Sequence, residues 1–108
     1  MGKDEKTDII RPSGFIDEDI LQKAINIWGT VAQIEMLKEE CLELALALQK
    51  LSRARGNEEE KERNIIDEIA DVKIMICQAQ RIFPADKINE RVDYKMKRLE
   101  ERLIQRLA

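Results

Sequence analysis

The sequence predicts an all-α fold with four helices, and both its composition and its small number of glycines and prolines support that prediction. Hydrophobic residues make up 44% of the 108-residue chain and charged residues 38%, a combination typical of long amphipathic helices. Only 4 Gly and 2 Pro interrupt the chain, which leaves little material for the turns of an all-β fold. A chain of this length forms one domain, and aliphatic side chains must fill its modest core because only 4% of its residues are aromatic.

Caps and helix breakers divide the chain into an arm and four helices. Residues 1–16 are polar, contain Pro12 and Gly14 and show no helical period, so we expect a flexible arm before a helical domain at 17–108. The predicted helices span 18–28, 30–55, 58–83 and a segment that begins at Asp86 and runs nearly to the carboxyl end. The expected caps are Asp17, Asn57 and Asp86, and the expected stops are Gly29, Gly56 and Pro84.

The second and third predicted helices repeat apolar residues three and four positions apart. Such stripes pack against each other in an antiparallel hairpin. Each helix also has a second apolar strip, which needs more cover than one four-helix chain supplies, so we expect a homodimer or a larger assembly. The main stripes are Ile34, Leu37, Cys41, Leu44, Leu48, Leu51 and Ile65, Ile69, Val72, Ile76, Ala79, Phe83; the second strips are Leu42, Leu46 and Ile66, Ala70, Ile74, Cys77.

Charge and hydropathy exclude two classes of partner. The formal net charge is -3, from 19 basic and 22 acidic residues, which argues against a protein that binds a nucleic acid polymer through its phosphates. No apolar run approaches the ~20 residues of a membrane span, and residues 1–16 lack the apolar core of a signal peptide. We therefore expect a cytoplasmic protein without a membrane partner, with Cys41 and Cys77 as reduced residues of the core.

Four carboxylates lie within or beside the apolar stripes, where solvated acids are not expected. Glu68 falls inside the apolar arc of the third helix, about 40° from Val72, and Asp71 lies on the same flank. Glu40 borders the stripe of the second helix, and Glu43 follows it by one turn. Each pair has the i, i+3 spacing that places two side chains side by side, so the pairs can face each other across the hairpin.

Facing carboxylates at a desolvated helix interface are costly unless their charge is relieved. A divalent cation, protonation and salt bridges are three ways to relieve it. Oxygen ligands would select Mg²⁺ or Mn²⁺, because zinc and copper favour His and Cys. The chain contains no His, which excludes a di-iron bundle with Glu-x-x-His ligands, the usual zinc hydrolases and a histidine general base. The alternative is that these acids belong to ordinary helix surfaces, since 22 acidic residues produce such spacings by chance.

Two segments resemble a known family. EECLELALAL at 39–48 and IIDEIADVKIM at 65–75 are similar to the paired signature of the MazG-like, all-α nucleoside triphosphate pyrophosphohydrolases, EExxE on one helix and ExxD on the next. The similarity extends from about Trp28 to Leu103 and includes the opening WG-x-x-x-Q-I and the closing KRLEERL. The resemblance implies a four-helix MazG-like bundle that is completed by oligomerisation, in a homodimer or a homotetramer.

The same resemblance implies a metal-dependent hydrolase. Members cleave a nucleoside triphosphate between the α and β phosphates, which gives a nucleoside monophosphate and pyrophosphate. Glu40, Glu43, Glu68 and Asp71 would ligate Mg²⁺, for which Mn²⁺ can substitute, and Glu39 would position or deprotonate the attacking water. Phosphoryl transfer mainly needs charge neutralisation and in-line positioning, which Mg²⁺ on a carboxylate cage provides.

Four further residues are candidates for contact with the substrate. Lys95 and Arg98 are cations on one face of the last helix that could reach phosphate oxygens, although surface pairing with glutamates explains them equally well. Trp28 could stack on a base, or it could anchor the core or an interface. Asn64 lies one turn before Glu68 and could hydrogen-bond the substrate or a ligand carboxylate.

Two alternative functions stay open at this point. A non-catalytic oligomeric helical interaction protein would account for the apolar stripes, but it would leave Glu68 inside an apolar arc unexplained. Within the superfamily, a dUTPase-like or a phosphoribosyl-ATP pyrophosphohydrolase specificity is also compatible with the motifs. The shape of the base pocket decides between substrates, and the sequence does not give that shape.

Overall fold

The computed structural model describes residues 10–53 and 55–108, and all regular structure within them is helical. The predicted all-α class is therefore confirmed. Among these residues, no helix combines the length and the apolar content that crossing a lipid bilayer would require. The four helices are α1 (Glu18–Trp28), α2 (Thr30–Arg53), α3 (Glu58–Ala79) and α4 (Ala85–Leu107).

The last residues of the predicted arm, 10–16, form a turn against the start of α1. The Phe15 N–H donates to the Pro12 carbonyl at 3.1 Å. The Arg11 guanidinium pairs with Asp17 at 2.8 Å and lies over the Phe15 ring, 5.4 Å from its centroid. Residues 1–9, for which a flexible arm is expected, lie outside the described residues.

The boundaries of α1 are those that the sequence predicts. The Asp17 side chain accepts hydrogen bonds from the N–H groups of Asp19, at 2.9 Å, and Ile20, at 3.4 Å. These bonds satisfy two of the free donors at the helix start. Gly29 ends the helix with a φ of 90°, and its N–H donates to the Ile25 carbonyl. Glycine is suited to this position because its backbone has no Cβ penalty at positive φ.

The loop between α2 and α3 differs in detail from the prediction. Helix α2 ends at Arg53 rather than near Arg55, and Gly56 takes the left-handed φ of 87° expected of a stop. Asn57 does not cap α3 with its side chain, so that prediction is wrong. Its backbone is itself left-handed, with a φ of 56°, whereas a capping side chain needs an extended backbone.

The turn between α3 and α4 also corrects two predicted boundaries. Helix α3 ends at Ala79 instead of Phe83, and residues 80–84 form turns. Pro84 restricts Phe83 directly, and before it the Arg81 and Ile82 N–H groups bond to the Gln78 and Ala79 carbonyls, three residues back, which forms turns in place of a further α-helical turn. Helix α4 begins directly after Pro84, at Ala85, so Asp86 lies in the first turn instead of capping the helix.

Three of the helices pack together and the fourth stands apart. Helices α2 and α3 form the predicted hairpin, and α1 packs across both of them. Within the described residues, α4 packs against none of the other three helices. Within the described residues a single chain therefore does not close a four-helix bundle, and no other helix covers α4.

Polar contacts fix α1 to the carboxyl end of α3. The buried Gln78 amide donates to the Leu21 carbonyl at 3.3 Å. The Arg81 guanidinium donates to Gln22, at 2.9 Å, and to Glu18, at 2.6 Å. These bonds connect positions about sixty residues apart in sequence, so they determine how α1 crosses the hairpin.

One chain has almost no apolar core. Leu21 is the only buried hydrophobic side chain among the described residues, and Cys41, expected in the core, is exposed. Apolar exposure on this scale is typical of an association surface rather than of a folded monomer. The large apolar residues exposed on the three long helices are Val31, Met36, Leu42, Leu46, Leu48, Leu51, Ile66, Ile69, Ile74, Ile76, Val92, Tyr94, Met96, Leu99, Leu103, Ile104 and Leu107.

The hairpin interface is turned by roughly 30–40° from the predicted stripes, which is less than half of the 100° between neighbouring residues. Glu40 and Glu68 are half-buried in it, whereas Cys41 and Ile69 are exposed. The half-buried positions are Ile34, Leu37, Glu40, Leu44 and Ala47 on α2 and Lys61, Ile65, Glu68, Val72, Met75, Cys77 and Ala79 on α3.

Candidate metal centre

Three of the four predicted carboxylate ligands come together on the hairpin. Glu40 on α2 and Glu68 and Asp71 on α3 each offer one oxygen, and these oxygens all lie within 4.8 Å of one another. Glu40 and Glu68 are half-buried and Asp71 is exposed, so the group opens to solvent on one side. The antiparallel hairpin and the i, i+3 spacing on α3 together account for this arrangement.

Glu43 and Glu39 lie in the same cavity but outside that close group. The cavity has a volume of about 500 Å³ and is referred to below as the carboxylate cavity. Glu43 lies near enough to the group to raise the pKa of Glu40 and of Glu68 by repulsion. The lining residues are Glu39, Glu40, Leu42, Glu43, Glu68 and Asp71.

Glu40 binds a proton more readily than an ordinary glutamate. A hydrogen bond with the Asp71 carboxylate is the largest cause of its raised pKa. Partial burial is the second cause, and repulsion from Asp71, Glu68 and Glu43 adds to it. The hydrogen bond, the burial and the repulsion all favour the protonated form of Glu40 when no cation is near.

Glu68 is the member of the group with a buried oxygen that lacks a hydrogen-bond donor in the described part of the chain. Partial burial is the largest cause of its raised pKa, followed by repulsion from Asp71, Glu43 and Asp67. Its Oε2 atom is buried and has no hydrogen-bond partner among the described residues. A buried carboxylate oxygen without a donor is costly, so a ligand that supplies positive charge at this point would stabilise the fold.

The donor set fits a hard divalent cation. Mg²⁺ prefers oxygen ligands and keeps several waters, and opposite oxygens in its octahedral shell lie about 4.2 Å apart. Glu40, Glu68 and Asp71 each offer one oxygen within 4.8 Å of the other two, so the three side chains would have to draw closer together to hold one ion. The unpartnered Glu68 Oε2 supplies an acceptor that no protein donor occupies. Protonation, as between Glu40 and Asp71, relieves the same repulsion by a different route.

The raised pKa values predict that Glu68→Gln stabilises the metal-free protein at neutral pH. A group whose pKa is higher in the folded state stabilises that state below its ordinary value of 4.5, and this contribution is lost as pH rises through the raised pKa. The glutamine removes the repulsion and offers an N–H donor to Glu40 or Asp71. The melting temperature of the variant in EDTA should exceed that of the wild type at pH 7, and the difference should shrink towards pH 4.

The metal dependence of the melting temperature supplies the control for this prediction. Saturating Mg²⁺ should raise the melting temperature of the wild type and raise that of Glu68→Gln much less, because a ligand that binds the folded state stabilises it. An equal or lower stability of the variant at pH 7 in EDTA would show that the carboxylates do not repel one another in the folded protein.

The remaining predicted site residues are dispersed within one chain. Lys95 and Arg98 line a cleft on α4 together with Leu99 and Arg102. Because α4 packs against no other described helix, these two cations do not reach the carboxylate cavity of their own chain. Trp28, at the end of α1, is 65% exposed, so the predicted alternative of a core anchor does not apply within the chain.

Asn64 lies close to the carboxylates, in a second and smaller space. It lines a cleft of about 160 Å³ that also contains Glu43 and Glu68, and Lys50 and Lys61 are part of the same lining. The sequence suggests Lys50 only as a weak candidate for contact with phosphate and gives no role to Lys61. The signal that could have identified them is spacing, since Lys50 follows Glu43 by seven residues and Lys61 precedes Glu68 by seven. Seven residues are two helical turns, which return to the same face.

Comparison with known proteins provides no relative. No family model matches this chain, no curated protein matches it and no solved structure matches it. What the protein does must therefore be inferred from the chemistry of its own residues.

Proposed function

We propose that this protein is a Mg²⁺-dependent nucleotide pyrophosphohydrolase of the MazG-like type, which converts (deoxy)nucleoside triphosphates to nucleoside monophosphates and pyrophosphate. The observation that supports the proposal best is the group formed by Glu40, Glu68 and Asp71, whose oxygens lie within 4.8 Å of one another across the α2–α3 hairpin. Glu43 and Glu39 line the same cavity, so all five acids of the paired motif that the resemblance singles out face one space.

The chain supplies the groups that such a hydrolysis requires. Glu40, Glu43, Glu68 and Asp71 would hold Mg²⁺, or Mn²⁺ in its place. The bound ion would neutralise charge on the phosphate oxygens and hold them for in-line attack. Glu39 is exposed at the same cavity and would position the attacking water and accept its proton. In this proposal a carboxylate takes the part of the histidine that the chain lacks.

The reaction is attack of water on the α phosphorus. The water oxygen forms a bond to that phosphorus, and the bond from the α phosphorus to the bridging oxygen breaks. Pyrophosphate leaves with the electron pair of that bond, and the proton of the water passes to Glu39. The raised pKa values of Glu40 and Glu68 mean that a cation must compete with protons, so activity should fall as the pH becomes acidic.

A second copy of the chain completes the site in this proposal. The exposed apolar side of α4 would pack on the exposed apolar residues of a partner hairpin and complete the four-helix bundle, in a homodimer or a homotetramer. The same contact would bring Lys95 and Arg98 of one chain towards the carboxylate cavity of the other. Trp28 is exposed and free to stack on a base, and Asn64 would hydrogen-bond the phosphates or a ligand carboxylate.

The cellular setting follows from the substrate. Nucleoside triphosphates are cytoplasmic, and Cys41 and Cys77 are free thiols, as in proteins of a reducing compartment. The proposal therefore places the enzyme in the cytoplasm, with a small nucleotide as its partner rather than a nucleic acid polymer or a membrane. Two alternative substrate specificities within the same superfamily are a dUTPase-like one and that of a phosphoribosyl-ATP pyrophosphohydrolase.

An oligomeric helical interaction protein without catalysis is the second candidate, and the exposed apolar faces favour it. Under that alternative the carboxylates have no ligand, and Glu68→Gln should stabilise the protein with Mg²⁺ present as well as absent. Under the proposed function the same substitution should weaken Mg²⁺ binding and turnover. Titration calorimetry with Mg²⁺ alone separates the two candidates without any knowledge of the substrate.

Hydrolysis in water labelled with ¹⁸O tests where the bond breaks. Attack at the α phosphorus places the label in the nucleoside monophosphate and leaves the pyrophosphate unlabelled, and ³¹P spectroscopy or mass spectrometry of the two products measures it. Label in inorganic phosphate, with a nucleoside diphosphate as the second product, would contradict the proposed reaction. The control is the same incubation in EDTA, in which neither product should form.

A further inference from the structure

A cleft with two lysines adjoins the carboxylate cavity at the loop end of the hairpin. It has a volume of about 160 Å³ and is called the lysine cleft below. It shares Glu43 and Glu68 with the carboxylate cavity, so the two spaces are neighbours with walls in common. Its lining residues are Glu43, Leu46, Ala47, Lys50, Lys61, Asn64, Asp67 and Glu68.

The antiparallel hairpin places both lysines on the same side of the carboxylates. Lys50 lies two turns beyond Glu43 on α2, and Lys61 lies two turns before Glu68 on α3, a displacement of about 10.5 Å along each helix. Lysine side chains are long and flexible, so both ammonium groups can turn back towards the carboxylates. The cleft thus places two cations and the Asn64 amide next to the candidate ligands.

The charges of the lysine cleft make it an anion site only when a cation is present. Glu43, Asp67 and Glu68 outnumber Lys50 and Lys61, so the cleft without a metal repels an anion. A divalent ion held by the neighbouring carboxylates would add two positive charges beside the lysines and reduce this repulsion. The cleft therefore suits an anion that arrives together with Mg²⁺, which is how polyphosphates bind proteins.

Lys61 is held in place better than a surface lysine. Its side chain is only 13% exposed, and its Nζ lies 4.0 Å from the exposed Glu58 carboxylate. Lys50 is exposed and lines the same cleft. The pair thus combines one largely buried cation with one exposed cation, and both border the space that adjacent phosphates of one ligand would occupy.

We propose that the lysine cleft binds a diphosphate group, with Lys50 and Lys61 contacting its oxygens and the Asn64 amide donating to it. The identity of that group rests on the proposed function: it is the β,γ-diphosphate of the substrate and then the pyrophosphate product. This assignment fixes the direction of the nucleotide along the hairpin. The terminal phosphates point to the loop between α2 and α3, and the nucleoside lies towards α1.

Single substitutions of the two lysines test the proposal directly. Lys50→Gln and Lys61→Gln should each weaken binding of inorganic pyrophosphate in saturating Mg²⁺ at least about tenfold, because each removes a charge-assisted hydrogen bond. The KM for a hydrolysed nucleotide should rise by a similar factor. Lys73→Gln is the matched control, since Lys73 lies on α3 but lines a different cavity beside the arm. Titration calorimetry measures the binding. Lys50→Arg keeps the positive charge, so it should bind pyrophosphate more tightly than Lys50→Gln does.

The outcomes separate this proposal from the function on which it rests. If the wild type releases pyrophosphate but both lysine variants bind it as Lys73→Gln does, the lysine cleft is wrong and the function stands. If the wild type cleaves no nucleotide yet binds Mg²⁺-pyrophosphate through the two lysines, the function is wrong and the cleft stands. Helical circular dichroism checks the fold, and Lys61→Met replaces Lys61→Gln if the latter unfolds, because it keeps the packed stem.

Discussion

Replacing Asp71 with Asn lowers Mg²⁺-dependent pyrophosphate release at least about 100-fold, the largest effect that we expect from a single substitution. Removing a residue that only hydrogen-bonds a metal ligand lowers metal affinity or activity by about 10–100-fold. Removing the charge of a ligand itself should lower activity at least as much. Asp71 is the exposed member of the three-carboxylate group and shares a hydrogen bond with Glu40. The amide keeps the shape of the side chain but removes an anionic oxygen from the ion.

Steady-state kinetics with a Mg²⁺ titration measure this effect and its cause. The fall in kcat/KM should be accompanied by a higher Mg²⁺ requirement, which a merely structural defect would not produce. Glu62→Gln is the control, because it removes one negative charge from an exposed position on the same helix. An Asp71→Asn variant with wild-type turnover and an unchanged Mg²⁺ requirement would remove Asp71 from the metal site.

Placing a charge in the apolar side of α4 should disrupt the assembly and the folded state together. Leu99 lies near the middle of α4, 47% exposed, beside Lys95 and Arg98 in the α4 cleft. Truncation of a central interface residue weakens binding by roughly 30-fold or more, and a buried unpaired charge adds to that loss. Since Leu21 is the only buried apolar residue described in the single chain, the separated chains should unfold readily.

Light scattering over a dilution series and thermal unfolding measure the effect of Leu99→Glu. We expect the wild type to be dimeric or tetrameric and the variant to be monomeric, with a broader unfolding transition and little turnover. Gln105→Glu adds the same charge to a position that lies about 120° around α4 from Leu99, and it should leave the assembly intact. A Leu99→Glu variant that is monomeric, stably folded and active would contradict the proposed assembly.

The parts of the fold that depend on local interactions were predictable from the sequence. Asp17 and Gly29 set the ends of α1 through a capping side chain and a positive φ, and both signals are readable from one residue. The helix ends that differed depend on more than one residue. Arg81, for example, lies in the predicted third helix but bonds to Glu18 and Gln22 on α1, and it takes part in the turn after Ala79.

The candidate site was predictable in its residue types and only partly in its geometry. The i, i+3 pairs placed Glu68 and Asp71 opposite Glu40, but the position of Glu43 beside the group rather than within it depends on how far α2 rotates. The lysine cleft depends on the register of two helices, because Lys50 and Lys61 line one cleft only when α2 and α3 pack at this relative position. The apolar period of a single helix does not determine that position.

The decisive measurement is pyrophosphate release from a panel of common and modified nucleoside triphosphates, with Mg²⁺, Mn²⁺ or EDTA. We expect release that depends on the divalent ion, stops in EDTA and differs between nucleotides, so the panel also ranks the substrates. Absence of release from every nucleotide, by a folded protein that calorimetry shows to bind no divalent ion, would contradict the claim and leave an oligomeric helical interaction protein as the function.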